Sequence, residues 1–179
     1  DAVATLNVNA GNVIALDDDL TSAPLAPGGS AVLSVLANDT LNAVSPPPPG
    51  AVTTTLVGAP AGYALDSGGR LQVGAQAPAG LQVLSYQLCE VAATGNCASA
   101  LIRAVVTPQA VADAFTVPSG QTFNDAVGIN DNAPADAVYT VASPPPGLLF
   151  SGNGSFSYTP QPGTVYPLTF TYQVCLAQP

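Results

Sequence analysis

Few side chains in this sequence could do chemistry. The chain has 179 residues, with three cysteines, eleven Asp and Glu residues, no His, and only two basic residues, Arg70 and Arg103. Without His or Lys, no side-chain base of the usual kind is available to activate a Ser or Cys nucleophile. A glycosidase needs two acids that face each other across a cleft, and the acids here lie mostly in turn-like stretches. We therefore predict no catalytic residues and no enzyme activity.

The cysteines carry the clearest chemistry. Cys89 and Cys97 are separated by a short loop between two predicted strands, a spacing that a disulfide can span when the strands pair. No further Cys or His stands at metal-ligand spacing. We predict a disulfide between Cys89 and Cys97, which places the protein outside the cytoplasm. Cys175 is left as an unpaired thiol, or as one whose partner lies beyond Pro179 or on another chain.

Clustered acids suggest one further site. Asp17, Asp18 and Asp19 stand near the junction between the first strand and the sequence that follows. Calcium prefers carboxylate and carbonyl oxygens, so this triplet, completed by Asp39, is a candidate calcium site. The spaced Asp pattern of calcium loops is absent, however, and a solvated acidic turn accounts for the same residues. The cofactor prediction is therefore none, or calcium.

The charge balance excludes several partners. The net charge is −9, whereas binding to nucleic acid requires a basic surface. An anionic membrane surface would repel the chain, and no apolar run reaches the roughly 18 to 20 residues of a membrane span. We expect no nucleic-acid partner and no membrane insertion. The sequence names no ligand.

The elements that must position these residues are predicted to be β-strands. Pro and Gly number 18 and 17, and they punctuate runs that are rich in β-branched, aromatic and Leu residues. The strongest runs are residues 30–38, 81–89, 99–107 and 168–175. No stretch shows a sustained helical period. The predicted fold class is therefore all-β.

The same arrangement of turn residues and predicted strands occurs twice along the chain. The matching stretches are VLANDT (35–40) with VGINDN (127–132), PAGYALDSGGRLQV (60–73) with PPGLLFSGNGSFSY (145–158), and YQLC (86–89) with YQVC (172–175). One copy has about the size of a seven-stranded sandwich. We predict two antiparallel β-sandwich domains in tandem, at residues 11–107 and 108–179, preceded by a separate strand at residues 1–10.

The two copies differ in how they end. The first copy closes with the strand SALIRAVVT at residues 99–107, whereas the second has no such strand after YQVC. The second domain is therefore predicted to lack its last strand and to leave an acceptor groove. The groove is expected along the apolar face formed by Leu168, Phe170, Tyr172 and Val174.

Residues 1–10, DAVATLNVNA, have the alternation of a closing strand with no domain in front of it. Strand geometry puts the side chains of this candidate donor strand on two faces. One face has Val3, Thr5 and Asn7, and the other has Ala4, Leu6 and Val8. The donor strand cannot easily fold back across the intervening domain, so we predict that it is given to a neighbouring molecule.

The chain resembles the bacterial Ig-like or cadherin-like repeats found in tandem in large secreted adhesins and surface proteins. The resemblance rests on ALDDDLTSAPLAPGGSAVLSVLANDT (15–40), PAGYALDSGGRLQV (60–73) and LSYQLC (84–89), and it covers two copies plus the extra strand. It implies β-sandwich building blocks of fibres and stalks. It also implies calcium at the domain junctions of some members.

These features predict a structural or adhesive extracellular protein that assembles with copies of itself. Its repeats would join head to tail into a filament, stalk or sheath by strand complementation. The alternative is a segment of a covalent tandem array, part of a large calcium-stiffened surface adhesin that binds a ligand. Cys175 slightly favours the alternative, because residues 1–10 bring no cysteine to pair with it.

Overall fold

The structure, a computed structural model, describes Ala4 and residues 9–177. These residues form fourteen β-strands and two single-turn 3-10 helices, which confirms the predicted all-β fold class. No helix within the described part of the chain is long and apolar enough to cross a membrane. The chain divides into two compact units. One consists of the described residues up to Ala77 together with Leu81–Val105, and the other of Pro78–Gly80 and the residues from Val106 onwards.

The first unit is built from nine strands. They are β1 (Val13–Ile14), β2 (Asp18–Asp19), β3 (Ser30–Ser34), β4 (Thr40–Leu41), β5 (Val52–Val57), β6 (Tyr63–Leu65), β7 (Arg70–Val73), β8 (Gly80–Glu90) and β9 (Ala93–Val106), with a 3-10 turn at Val35–Ala37. One sheet has the order β2-β9-β8-β5 and another the order β3-β7-β6, while β1 pairs with β4. Two such sheets are the layers of an Ig-like sandwich.

The last strand of this unit, β9, lies between β2 and β8 and completes its sheet. Alternate residues of β9 are buried, as expected for a strand with one face on a core. They are Ala100, Ile102, Ala104 and Val106. β9 pairs with β2 in parallel register, with Asp18 opposite Ile102. The closing strand thus supplies both apolar side chains and backbone partners.

The disulfide between Cys89 and Cys97 is present in the structure. It joins the end of β8 to the start of β9, on either side of the short turn between these strands. Because it closes a small loop, it ties the closing strand covalently to its neighbour. Cys175 is free and exposed within the described residues.

The second unit has five strands. They are β10 (Phe123–Ala126), β11 (Val138–Val141), β12 (Leu148–Phe150), β13 (Ser155–Tyr158) and β14 (Tyr172–Cys175), with a 3-10 turn at Val127–Ile129. One sheet has the order β10-β13-β12, and β11 pairs with β14. The buried residues of its core are Val127, Ala137, Tyr139, Leu148, Phe156 and Tyr158.

The strands of the second unit repeat those of the first except at one edge. The sheet β10-β13-β12 corresponds to β3-β7-β6, and the pair β11-β14 corresponds to β5-β8. Among residues 108–177, no strand takes the places that β9 and β2 have in the first unit. The run predicted as a strand from residue 168 is therefore paired only over Tyr172–Cys175. Residues 168–171 have no neighbouring ladder to join.

Candidate functional site

A large open groove lies in the second unit at the edge that lacks these strands. Its volume is about 1160 Å³, and its lining is mainly apolar. We call residues 110–120 the first wall, and residues 160–162 and 166–172 the second wall. An apolar groove of this size, open to solvent, is a site that a partner can occupy.

The floor of the groove belongs to the core of the unit. Leu148, Phe156 and Tyr158 line it and are only 5% to 7% exposed. Phe115 of the first wall packs edge-on against Phe156, with ring centroids 5.0 Å apart. Phe170 of the second wall contacts the same ring at 6.1 Å. The groove is therefore an opening between two walls that reaches into an aromatic core.

The first unit shows what fills the corresponding place in a complete sandwich. There Ile14 pairs with Thr40, and in the second unit Gln109 makes the matching bridge to Asn132. The chain after this bridge forms β2 in the first unit and the first wall in the second. Since β14 corresponds to β8, the groove between the first wall and β14 matches the place of β9.

Three of the four groove residues expected from the sequence line this groove. They are Leu168, Phe170 and Tyr172. Val174, the fourth, packs against the core without lining the groove. The sequence did not predict the first wall, because residues 110–120 carry no strong strand signal of their own.

A polar cluster ties the two walls together. The hydroxyl oxygen of Tyr172 lies 2.9 Å from the carbonyl oxygen of Val111, 3.1 Å from Asp113 Oδ2 and 3.0 Å from Asp131 Oδ1. The backbone N–H of Val111 donates to Asp131 Oδ1 at 2.6 Å. Asp131 Oδ2 is buried without a hydrogen-bond partner among the described residues. A single hydroxyl proton thus faces three acceptor oxygens.

The first unit contains the same cluster in a more buried form. The Tyr86 hydroxyl lies 2.9 Å from each carboxylate oxygen of Asp39 and 3.1 Å from the carbonyl oxygen of Leu16. The backbone N–H of Leu16 donates to Asp39 Oδ1 at 2.9 Å. Tyr86 and Asp39 are fully buried, and Asp18, which corresponds to Asp113, is 9% exposed. This cluster lies beside β9, because Asp18 pairs with Ile102.

Burial makes these acids hard to ionise. Burial, and second the charge of Asp39, raise the pKa of Asp18 to about 7. Burial likewise raises the pKa of Asp39. Burial, followed by the two carboxylates, raises the pKa of Tyr86, so its hydroxyl remains a donor. The pair Asp18 and Asp39 is therefore most stable when it holds a proton.

We expect Asp18→Asn to stabilise the first unit increasingly as the pH rises. The pKa of Asp18 in the folded unit, about 7, is above the value of 3.8 for a free carboxyl group. Protonated Asp18 thus contributes its full stabilisation of the folded unit below about pH 4, and this stabilisation is lost as the pH rises through about 7. Asn is neutral throughout this range. Urea unfolding at about pH 4.5, 6 and 8 should show a difference between variant and wild type that grows with pH.

The control for this prediction is Asp19→Asn. Asp19 is exposed, and hydrogen bonds from the Thr21 side chain and backbone lower its pKa. Its ionised form favours folding, so the substitution should give no gain at high pH. An equal gain for both variants would indicate a general charge effect and contradict the role of burial at Asp18.

The acidic triplet does not converge on one point. Asp17 Oδ1 accepts from the backbone N–H of Leu101, Asp18 faces Asp39, and Asp19 Oδ1 accepts from Thr21. The divergence follows from extended backbone, in which successive side chains point to opposite faces. Within the described residues, no group of three or more His, Cys, Asp or Glu side chains could hold a metal ion.

The candidate donor strand lies largely outside the described residues. Of the six side chains assigned to its two faces, the structure describes only Ala4, which is exposed. The other five lie outside the described residues, and their donor role stays a prediction; they are Val3, Thr5, Leu6, Asn7 and Val8.

Sequence reasoning missed the tyrosine clusters. It used Asp39 only as a calcium ligand, and it gave Asp113 and Asp131 no role. A signal was available, since Tyr86 and Tyr172 share the repeated YQ[L/V]C motif and Asp39 and Asp131 the repeated Asn-Asp pair. The order of these residues in the chain does not show that they meet.

The strand order of the two units defines the class of protein, which is an all-β protein of Ig-like units. Residues 106–177 match the family model described as "Bacterial Ig domain". The resemblance to bacterial Ig-like repeats is thereby confirmed, with the match located in the second unit. No curated protein matches the chain.

Several solved structures are similar to the chain at low identity. An endo-fucoidan hydrolase of glycoside hydrolase family 107 has 13% identity and a TM-score of 0.39, over 98% of this chain and 28% of that one. The human desmocollin-1 ectodomain has 7% identity and a TM-score of 0.39, over 95% of this chain and 35% of that one. Drosophila N-cadherin EC1-4 has 12% identity and a TM-score of 0.37, over 93% of this chain and 45% of that one. The chain thus spans less than half the length of each, and TM-scores below 0.5 indicate nothing about its activity.

Proposed function

We propose that this chain is a structural or adhesive protein of the bacterial cell exterior whose units join head to tail. Residues 1–10 of one copy fill the groove of the second unit of the next copy. The observation that carries the proposal is that the groove matches the place of β9 in the first unit. Strand addition of this kind uses backbone hydrogen bonds for affinity and side-chain pockets for specificity.

The donor sequence has the pattern that the groove requires. Aligned without gaps, residues 1–10 (DAVATLNVNA) stand against residues 97–106 (CASALIRAVV). The buried positions of β9 then correspond to Ala4, Leu6, Val8 and Ala10 of the donor. Burying Leu and Val side chains contributes about 1.5 to 3 kcal/mol each. Residues 2–10 carry no charge, which suits an apolar groove.

The acceptor also presents an edge that needs a partner. Within the described residues, β14 pairs only with β11, whereas β8 in the first unit pairs with both β5 and β9. Unpaired strand edges readily template pairing with another chain. Since the donor and acceptor surfaces differ, each added copy exposes a new groove, and the assembly is open-ended.

The same alignment provides a direct test. It puts Asp1 at the position of Cys97, and Cys175 corresponds to Cys89, so Asp1→Cys should form an intermolecular disulfide with Cys175 under mild oxidation. We expect a ladder of oligomers on a non-reducing gel that collapses to one band with reductant. Mass spectrometry of the linked peptides identifies the bridge.

Two controls test whether the bridge reports the proposed register. Val3→Cys displaces the thiol by about 7 Å along the donor strand and should give little cross-linking. Asp1→Cys combined with Cys175→Ser should give none through this site. Equal ladders from Asp1→Cys and Val3→Cys, a bridge within one molecule, or monomers alone would contradict head-to-tail strand donation.

Cys175 favours a second candidate function, a segment of a covalent tandem array. Cys175 corresponds to Cys89, which forms a disulfide in the first unit. Cys175 is free, and residues 1–10 contain no cysteine that could pair with it. A following segment of the same polypeptide that supplies both the strand and a cysteine would satisfy the groove and Cys175. The intact mass of the native protein, measured with and without reductant, separates this candidate from assembly of separate chains.

A further inference from the structure

The cluster that joins the two groove walls has fewer hydrogen-bond protons than acceptor oxygens. The Tyr172 hydroxyl has one proton and lies within hydrogen-bond distance of three oxygens, two of them carboxylate oxygens of Asp113 and Asp131. Two carboxylates in contact with one hydroxyl are satisfied in full only when one of them also carries a proton. In the open groove, water can hydrate Asp113, which lines the groove and is only partly buried, whereas Asp131 Oδ2 is buried even without the strand.

The first unit shows the same cluster with a strand beside it. Asp18 lies opposite Ile102 of β9, and both Asp18 and Asp39 are buried. Asp18 Oδ2 is without a hydrogen-bond partner among the described residues. Burial next to Asp39 raises the pKa of Asp18 to about 7. Covering the cluster with a strand therefore favours the protonated pair.

Insertion of the donor strand would cover the second cluster in the same way. In the alignment above, Leu6 of the donor takes the place of Ile102 and would lie beside Asp113. Besides Asp131 and Tyr172, the titratable group that faces this cluster is Tyr139 of β11. Both arginines of the chain precede residue 106, and residues 2–10 bring no charge, so neither the unit nor the donor supplies a cation.

We propose that strand insertion into the groove is coupled to the uptake of one proton by Asp113 and Asp131, so that acidification favours assembly. The coupling rests on the proposed function, because it regulates occupation of the same groove. The sign follows from linkage: a group that binds a proton more tightly in the complex strengthens binding as the pH falls.

The test measures binding of a synthetic peptide of residues 1–12 to the full chain carrying Leu6→Asp. This substitution disables the chain's own donor strand and leaves the groove unchanged. Fluorescence anisotropy with labelled peptide gives Kd between about pH 5 and pH 8. One proton changes Kd by at most tenfold per pH unit, and we expect tightening on the order of tenfold across this range.

Three acceptor variants locate the effect. Asp113→Asn and Asp131→Asn should each reduce the pH dependence, because the cluster then holds a single carboxylate. Asp136→Asn removes one negative charge elsewhere in the unit and should leave the pH dependence of Kd unchanged. Urea unfolding checks that the second unit of each variant folds.

The outcomes separate the coupling from the proposed function. Peptide that binds at no pH overturns the strand-acceptance proposal itself. Binding of equal strength at all pH values overturns the coupling and leaves strand acceptance standing. A pH dependence that persists in both Asp113→Asn and Asp131→Asn assigns the proton to another group and also overturns the coupling.

Discussion

Gly147→Ala is expected to destabilise the second unit by about 3 kcal/mol or more. Gly147 has φ of +88°, a region in which an L residue is strained by roughly 1 to 2 kcal/mol. An added Cβ would also overlap the backbone carbonyl oxygen of Thr159, and backbone cannot move aside as a flexible side chain can. The N–H of Thr159 donates to the Gly147 carbonyl at 2.9 Å, so the substitution separates the two segments beside the groove floor.

Hydrogen exchange measured in increasing urea tests this prediction unit by unit. Peptides from residues 145–160 should lose protection at lower urea in the variant, while peptides from residues 80–90 should not change. Gly163→Ala is the matched control: Gly163 also has positive φ, +81°, but an added Cβ would meet nothing within 4 Å. A loss as large in Gly163→Ala as in Gly147→Ala would show that backbone strain alone, without the overlap, explains the effect.

Tyr86→Phe is expected to destabilise the first unit by about 2 to 4 kcal/mol. The ring of Tyr86 would still fill its place, so the change removes only the hydroxyl that hydrogen-bonds Asp39. Asp39 would keep the Leu16 N–H as its donor in a fully buried site. The loss should increase with pH, because the hydroxyl stabilises the ionised form of Asp39.

Tyr172→Phe is the matched substitution in the second unit. It removes the equivalent hydroxyl, but Asp113 lines the open groove and both acids are only partly buried, so we expect a loss of about 1 kcal/mol. Urea unfolding of both variants at about pH 5 and pH 8 makes the comparison. Equal losses in the two units would contradict the view that burial beside β9 gives the first cluster its energetic weight.

Local pattern was enough to predict much of this fold. The alternation of residues 81–89 and 99–107 predicted the strands that became β8 and β9, because each burial pattern is set by side chains two positions apart. The cysteine spacing predicted the disulfide, since the two strands are consecutive. The repeat predicted which strand the second copy lacks, because a missing element is visible when two copies are aligned.

The groove itself required the tertiary structure. The alternation of residues 168–175 predicted one continuous strand, yet only Tyr172–Cys175 is paired. A strand needs a partner, and residues 168–171 lack the neighbour that β9 provides in the first unit. The first wall was missed for a related reason: it is held by Tyr172 and by the Asn132 bridge, which are distant in sequence.

The amino-acid sequence by itself determined the all-β class, the repeat and the disulfide, because these depend on periodicity and on neighbouring strands. Only the tertiary structure decided that Asp113, Asp131 and Tyr172 meet, and that they repeat the cluster of Asp18, Asp39 and Tyr86. These contacts join segments 18 to 68 positions apart, and no local pattern encodes a meeting at such separations. The tertiary structure also decides how buried each set is, since a strand covers the set of the first unit whereas the set of the second unit borders an open groove.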